Sequence, residues 1–325
     1  FNGFSLDSYL KNNLGFTDGA IEKINGKEVF KWIGSGGQYE DEPFYTRSFN
    51  HFHNPLLSWD SAGYGGTFKS AILLAQDQGT FGSLFGGNYS WKAVRDYYYL
   101  GLTSYTKTDR EKNLAETFRG LGQLMHLVED MSVPAHTRND GHLLYNYENW
   151  ILNIQYNDQP KFSSFISNPI FYGSSIANIS NLFDTDQYNG TNPDIAKGNL
   201  IGLSEYTNAN FFSEDTMFTF PYPSKTTSVQ VVDYDYPDPF NPGTFVKRQY
   251  YKKVADGETG LDTNGDGAPD GYRLAGVDYL KLYRDATLSP TVADQIVVIP
   301  PMDDYVYSDY ASLLLPRAVG YSAGL

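Results

Sequence analysis

Residues 114–136, LAETFRGLGQLMHLVEDMSVPAH, limit what this chain can fold into more than any other stretch. Leu114, Phe118, Leu121, Leu124, Met125, Leu127 and Val128 wrap most of a helix circumference, so the spacing predicts a central helix packed on several sides. His126 and Asp130 stand four residues apart and share one face of that helix. Pro134 is expected to end it, and His136 follows where the chain must turn. A carboxylate in such apolar surroundings is costly unless something pairs with it. A metal ion would do so, and imidazole with carboxylate is an ordinary zinc ligand set.

The chain has 325 residues, 41% of them hydrophobic, enough for one large domain or two ordinary ones. It contains no apolar run of about 18 residues, so no transmembrane helix is expected. The formal net charge of −14 argues against a stable nucleic-acid partner, yet leaves phosphate chemistry at a metal site open, because bound dications reverse the local field. With no Cys, neither disulfides nor thiolate metal sites hold the fold. The Tyr, Phe and Gly content reads as a secreted, periplasmic or cell-surface protein. The chain starts at Phe1 and ends in LLLPRAVGYSAGL, which reads as a helix still in progress; it is expected to be a piece of a longer protein, with room for further domains or subunits.

Helical spacing is read over 5–14, about 18–33, 67–77 and 90–106, the second of these ending before the Gly-rich GSGG. The polar stretch QYEDEPFYTRSFNHFHNP reads as a loop, and Thr108 with Glu111 as a capping box that opens the central helix. Helix resumes at Tyr147, and 156–194 reads as surface loop with short helical turns. Asp194 reads as the cap of another helix, IAKGNLIGLSEYTNANFFSEDTMF. TTSVQVVDYDY and TFVKRQYYKKVA alternate like strands joined by the turn PDPFNPG. Helix is expected again over 274–286 and from 307 to the end. The fold class is therefore mostly α: a helical domain of residues 1–221 and 273–325, interrupted by a β-hairpin insertion at 222–272. Inside the insertion, Asp262, Asn264, Asp266, Ala268 and Asp270 have the spacing that begins an EF-hand calcium loop, with Gly267 at the tight turn and Arg273 where a bidentate Glu would stand. The alternative there is a plain Asp/Gly turn.

The histidines are His51, His53, His126, His136 and His142. A lone histidine is more often a structural hydrogen-bonder, the reading taken for His53. The others have carboxylate companions: Asp41 and His51 flank one loop, His126 and Asp130 share a helix face, and His142 precedes a helix whose second residue is Glu148.

The order Asp41 … His51-Phe52 … His126-x-x-x-Asp130-x5-His136 … His142 … Glu148 resembles the bacterial zinc-dependent phospholipase C family, relatives of the S1/P1 nucleases. His51-Phe52-His53-Asn54-Pro55 is similar to the His-Phe-Tyr-Asp-Pro stretch of those phospholipases. MHLVEDMSVPAHTRND, NANFFSEDTMF and LLPRAVGYSAGL are similar to segments of phospholipase C-like bacterial proteins, so the resemblance runs from about Leu6 to the end outside the insertion. It implies a multi-helix phospholipase C/P1 nuclease-like fold and a hydrolase acting on a phospholipid or other phosphodiester, with peripheral membrane contact. It also implies that Asp41, His51, His126 and Asp130 hold one zinc while His136, His142 and Glu148 hold a second. Asp130 would reach a third zinc if residues upstream supply ligands, and Asp41 would double as the catalytic base. Three departures stand out. His142 and Glu148 lie two residues further apart than the family's His-x-x-x-Glu, with Asn146 at the i+4 position; no histidine precedes His51; and Glu40, Asp41 and Glu42 compete as the first acidic ligand, Asp41 being chosen by the resemblance. The alternatives are an S1/P1-type nuclease and an inactive structural or surface protein that keeps the scaffold.

Overall fold

The computed structural model describes residues 6–42, 47–79, 86–142, 145–176, 178–219, 221, 229–254, 260–262, 266–284 and 295–325. Helix α1 (Leu6–Leu14) leads through the short strands β1 (Lys23–Ile24) and β2 (Lys27–Glu28) into α2 (Val29–Glu40). Helices α3 (Ala71–Gln76) and α4 (Trp91–Thr103) precede the central helix α5 (Lys107–Asp130). Then come α6 (Pro134–Thr137), α7 (Tyr147–Asn157), α8 (Gln159–Ile166), α9 (Ser180–Phe183) and α10 (Leu203–Asn210). The strands β3 (Val229–Pro237), β4 (Phe245–Val254), β5 (Gly271–Gly276), β6 (Leu280–Arg284) and β7 (Gln295–Ile299) follow, and α11 (Asp304–Ser322) closes the chain.

The helix-rich expectation holds, and α5 is the buried axis: Leu124, Leu127 and Val128 are fully buried in the main core, while Leu114, Ala115 and Phe118 pack into a second core with Leu10, Ile24 and Val29. Its cap differs from the expected Thr108/Glu111 box. Thr106 caps it, accepting from the Asp109 amide at 3.1 Å and donating to Asp109 Oδ2 at 2.6 Å. Pro134 does not leave His136 in a loop. It occupies the first turn of α6, where its missing N–H costs nothing, and His136 rides on that short helix.

The segment expected as helix over 18–33 is instead a 3-10 turn and a β1–β2 hairpin, with helix starting only at Val29. Asn25-Gly26, both at positive φ (46° and 84°), make the two-residue hairpin turn. Helix α2 then runs through the GSGG that was expected to end it. A Cβ on Gly36 would lie 1.9 Å from the Arg119 carbonyl oxygen of α5, and one on Gly122 of α5 would lie 1.9 Å from that of Ile33. The glycines let the two helices cross backbone against backbone, and that packing outweighs their poor helix propensity. The crossing carries Glu40 and Asp41, at the C-terminal end of α2, to the face of α5 that bears His126 and Asp130.

Two further helix expectations fail. Asp194 sits in a 3-10 turn, and helix begins only at Leu203, where Glu205 accepts amides from Gly202, Thr185, Gln187 and Tyr188. Residues 274–284, expected as helix, lie in β5, the turn after it and β6 (285 and 286 fall outside the described residues). Strands β3, β4 and β5 form one antiparallel sheet, and β6 pairs antiparallel with β7. Thus the β region reaches Ile299, beyond residue 272. One face of its sheet is a wall of the main core: Tyr250, Tyr272 and Leu274 are buried, Tyr272 donates to the Asn210 carbonyl, and Tyr310 of α11 donates to that of Leu274. Burial on α11 overrides the local spacing.

In the loop expected to bind calcium, Asn264 lies outside the described residues. Asp262 accepts the Asp266 and Gly267 amides, the Ala268 amide donates to Asp266, and Asp270 is paired with Lys252 at 2.7 Å. Among the described residues, Asp262, Asp266 and Asp270 belong to neither of the two clusters of histidine and carboxylate side chains. Nor is any described helix long and apolar enough to cross a membrane.

Candidate metal centres

The end of α2, the turn before α3 and the face of α5 bring four side chains together. Asp41 Oδ1 lies 3.5 Å from His51 Nδ1 and 3.6 Å from His126 Nε2. Asp130 Oδ2 lies 3.0 Å from the same His51 nitrogen and 3.3 Å from the same His126 nitrogen. A tetrahedral zinc with bonds of about 2.0–2.2 Å holds its donors about 3.3–3.6 Å apart. These four separations are close to those such an ion would need; Asp41, His51 and His126 form the compact set, with Asp130 against both histidines. Asp130 and His51 are buried, whereas the Asp41 side chain is 47% exposed and opens the cluster to solvent.

A second cluster joins α6, the loop after it and α7. His142 Nε2 lies 3.2 Å from His136 Nε2 and 2.8 Å from Glu148 Oε2, which is 3.8 Å from His136 Nε2. Asn146 is not in it. Its side chain caps α7 by accepting the Asn149 amide at 2.9 Å, and it also donates to the His142 carbonyl. Asn146 thus serves as the helix cap, and Glu148, on the first turn of α7, faces the histidines. Asp130 links the two clusters: while Oδ2 serves the first, Oδ1 lies 3.6 Å from His136 Nδ1. Asp130 Oδ2 and His136 Nδ1 are buried with no hydrogen-bond partner; an ion in the first cluster would satisfy Asp130 Oδ2, whereas His136 Nδ1 faces Asp130 Oδ1 and its other nitrogen, Nε2, is the one turned to the second cluster.

The electrostatics separate the two groups. Burial alone would lower His51 and His126, but Asp130, with Glu40 at His51 and Asp41 at His126, overcomes it; His51 is raised to about 9 and His126 well above the ordinary histidine value. His136 goes the other way: burial first, then the neighbouring His142, His51 and His126, hold it well below that value, which keeps its nitrogen free to ligate. Burial also opposes the charged form of His142, yet contact with Glu148 raises it. Burial would raise Asp41, but His126, His51 and Arg47 carry it below the usual carboxylate range. Asp130 is raised by its burial, against the pull of His126 and His51.

Aromatic rings wall the second cluster. Phe52 packs on His136 and His142 with ring centroids 4.6 and 5.9 Å away, and Tyr64, Phe49 and Phe68 extend the stack toward the surface. His53 stays out of both clusters. It is fully buried and bonds Asp184 Oδ2 at 2.8 Å, which Trp59 also reaches. Two features stand apart from the expected ligands. Glu40 and Arg47 form a fully buried pair behind His51, a partnership the sequence could not reveal across the intervening residues. Gly320-Tyr321-Ser322-Ala323-Gly324 matches the spacing of a serine-hydrolase elbow, but Ser322 is buried in the last turn of α11 and bonds back to the Ala318 carbonyl, so it is no exposed nucleophile.

Protein-family models, curated proteins and solved structures contain no match to this chain. The reading of the two clusters rests on their donors.

Proposed function

We propose that this chain is a zinc-dependent phosphodiester hydrolase of phospholipase C type. The observation that carries the reading is the pair of nitrogen–oxygen donor clusters joined through Asp130. Structural zinc sites are usually closed and four-coordinate. Here the second cluster offers three protein donors, and both clusters have an accessible carboxylate, Asp41 and Glu148. The imidazole content favours zinc over magnesium or calcium.

Asp41, His51, His126 and Asp130 would hold one ion, and His136, His142 and Glu148 the other. Zinc bound there would lower the pKa of a coordinated water to about 7 and draw charge from phosphate oxygens. The chain's own residues supply the rest. Asp41, ionised and half-exposed, is placed to accept a proton from water at the mouth of the first cluster. Phe52, Tyr64, Phe49 and Phe68 exclude water on one side of the second cluster and offer an apolar face to the organic part of a diester. The zinc-loaded protein should release the head group from a phospholipid, with activity lost on chelation and in His126→Ala. Zinc-loaded protein without phosphodiesterase activity would sink the proposal, and digestion of single-stranded nucleic acid in its place would move it to a nuclease.

A further inference from the structure

Glu40 is the last residue of α2 and is fully buried, one residue before the accessible Asp41. A buried carboxylate is costly unless paired, and its partner is Arg47, also buried. Arg47 Nη2 lies 2.6 Å from both Glu40 oxygens, Arg47 Nε donates to the Glu40 carbonyl at 3.1 Å, and Nη2 also reaches Gln123 Oε1 of α5 at 3.2 Å. The pair is therefore fastened to both helices that build the first cluster. From this clamp Glu40 Oε1 stands 3.7 Å from His51 Nε2, an ion-pair distance longer than a hydrogen bond, and Nε2 is buried with no hydrogen-bond partner; the other ring nitrogen, Nδ1, faces Asp41 and Asp130. A histidine that ligates through Nδ1 must carry its proton on Nε2, and a carboxylate held on that side of the ring favours that tautomer electrostatically, the more so when the ring and carboxylate draw closer on loading.

We propose that Glu40, clamped by Arg47, is the positioning residue of the first metal centre, holding His51 with its Nδ1 lone pair turned toward the ion. The inference rests on reading the two clusters as metal centres. It assigns Glu40 a task distinct from that of its neighbour: Asp41 ligates, and Glu40 decides which nitrogen of His51 is available. The second centre has no such dependence, because none of its three donors meets Glu40 or Arg47 in the contacts above.

The test is zinc titration against a chromogenic chelator, combined with long-range proton–nitrogen NMR of the histidine rings. The wild type should show two classes of site, with the His51 proton on Nε2 in the loaded protein. The double variant E40Q/R47Q removes both buried charges together and strands neither. It should weaken one class about 10–100-fold, leave the other at wild-type affinity, and show His51 sampling the other tautomer. E40D keeps the charge but shortens the reach, so it should fall between; if the double variant does not fold, E40D decides in the same way. Both classes weakening together, or neither, would overturn the assignment. A wild type that binds no zinc would instead overturn the reading of the clusters, and this inference with it.

Discussion

The crossing of α2 and α5 makes the first centre depend on one atom that is missing from the sequence, the Cβ of Gly122. A Cβ built there lies 1.9 Å from the Ile33 carbonyl oxygen, 2.8 Å from its carbon and 3.0 Å from the Gly37 nitrogen. All three are backbone atoms, so no side chain can swing aside. Reaching an ordinary contact of about 3.4 Å requires the helices to part by roughly 1.5 Å at that point, and overpacking of this kind costs about 1–3 kcal/mol. Alanine's better helix propensity returns up to about 1 kcal/mol, so Gly122→Ala should fold with a modestly lowered Tm. The larger effect falls on the site. Asp41 Oδ1 already stands 3.5 and 3.6 Å from the imidazole nitrogens, and moving away by roughly 1.5 Å takes it beyond the donor separation of about 3.3–3.6 Å that zinc allows. The expected result is loss of the first zinc with the second retained, read by zinc analysis after gel filtration and by chelator titration. Gly34→Ala is the control: it lies on α2, the other helix of the crossing, with nothing within 4 Å of its Cβ, and should bind zinc like the wild type at equal or slightly higher stability. Wild-type affinity for two zincs in Gly122→Ala would refute the argument that the glycine crossing sets the position of Asp41.

Asp130→Asn should abolish the first zinc and weaken the second about 10–100-fold, because on the proposed reading the same carboxylate would ligate one ion while its other oxygen, 3.6 Å from His136 Nδ1, would orient that ring for the other; an unchanged second site in chelator titrations would contradict that link. Glu148→Ala should reduce the zinc content to one, while Asn146→Ala should keep both zincs and lose about 0.5–2 kcal/mol of stability as a helix cap, measured by urea unfolding. Asp309, buried against Arg273, is raised by burial from 3.8 to about 6, with Arg273 opposing. Its folded value lies above its unfolded one, so its contribution is full below about pH 4 and is lost as pH rises through about 6, a difference of about 3 kcal/mol at most. Asp309→Asn should flatten the stability–pH curve over that window, and an unchanged slope in unfolding experiments would show that the burial is relieved in another way.

The buried central helix was legible because its apolar residues cover more than one face, and the His126–Asp130 pair because i and i+4 meet on any helix. The strands at 229–237 and 245–254 were legible for the corresponding reason, alternation. Asn25-Gly26 carried a local hairpin signal that the helical spacing around it masked. Nothing local marked 271–284 as strands, since their conformation is decided by what Tyr272 and Leu274 are buried against. The calcium spacing was legible in the same local way, and only the fold shows that its described carboxylates also meet loop amides and Lys252, a partner on another strand.

By itself, then, the sequence determined which donors exist and which of them are adjacent on one helix: His126 with Asp130, His136 just past the turn, and Glu148 at a helix start. Tertiary structure decided how they divide. Gly36 and Gly122 read locally as helix breakers, and only a second helix at backbone distance turns them into the contact that delivers Asp41. Glu40 and Asp41 are chemically equivalent neighbours in the sequence. Arg47 draws one into the interior behind His51 and leaves the other at the surface, facing His51 and His126. Spacing along a helix is fixed by covalent geometry, whereas which carboxylate is buried depends on a charge that only folding brings near.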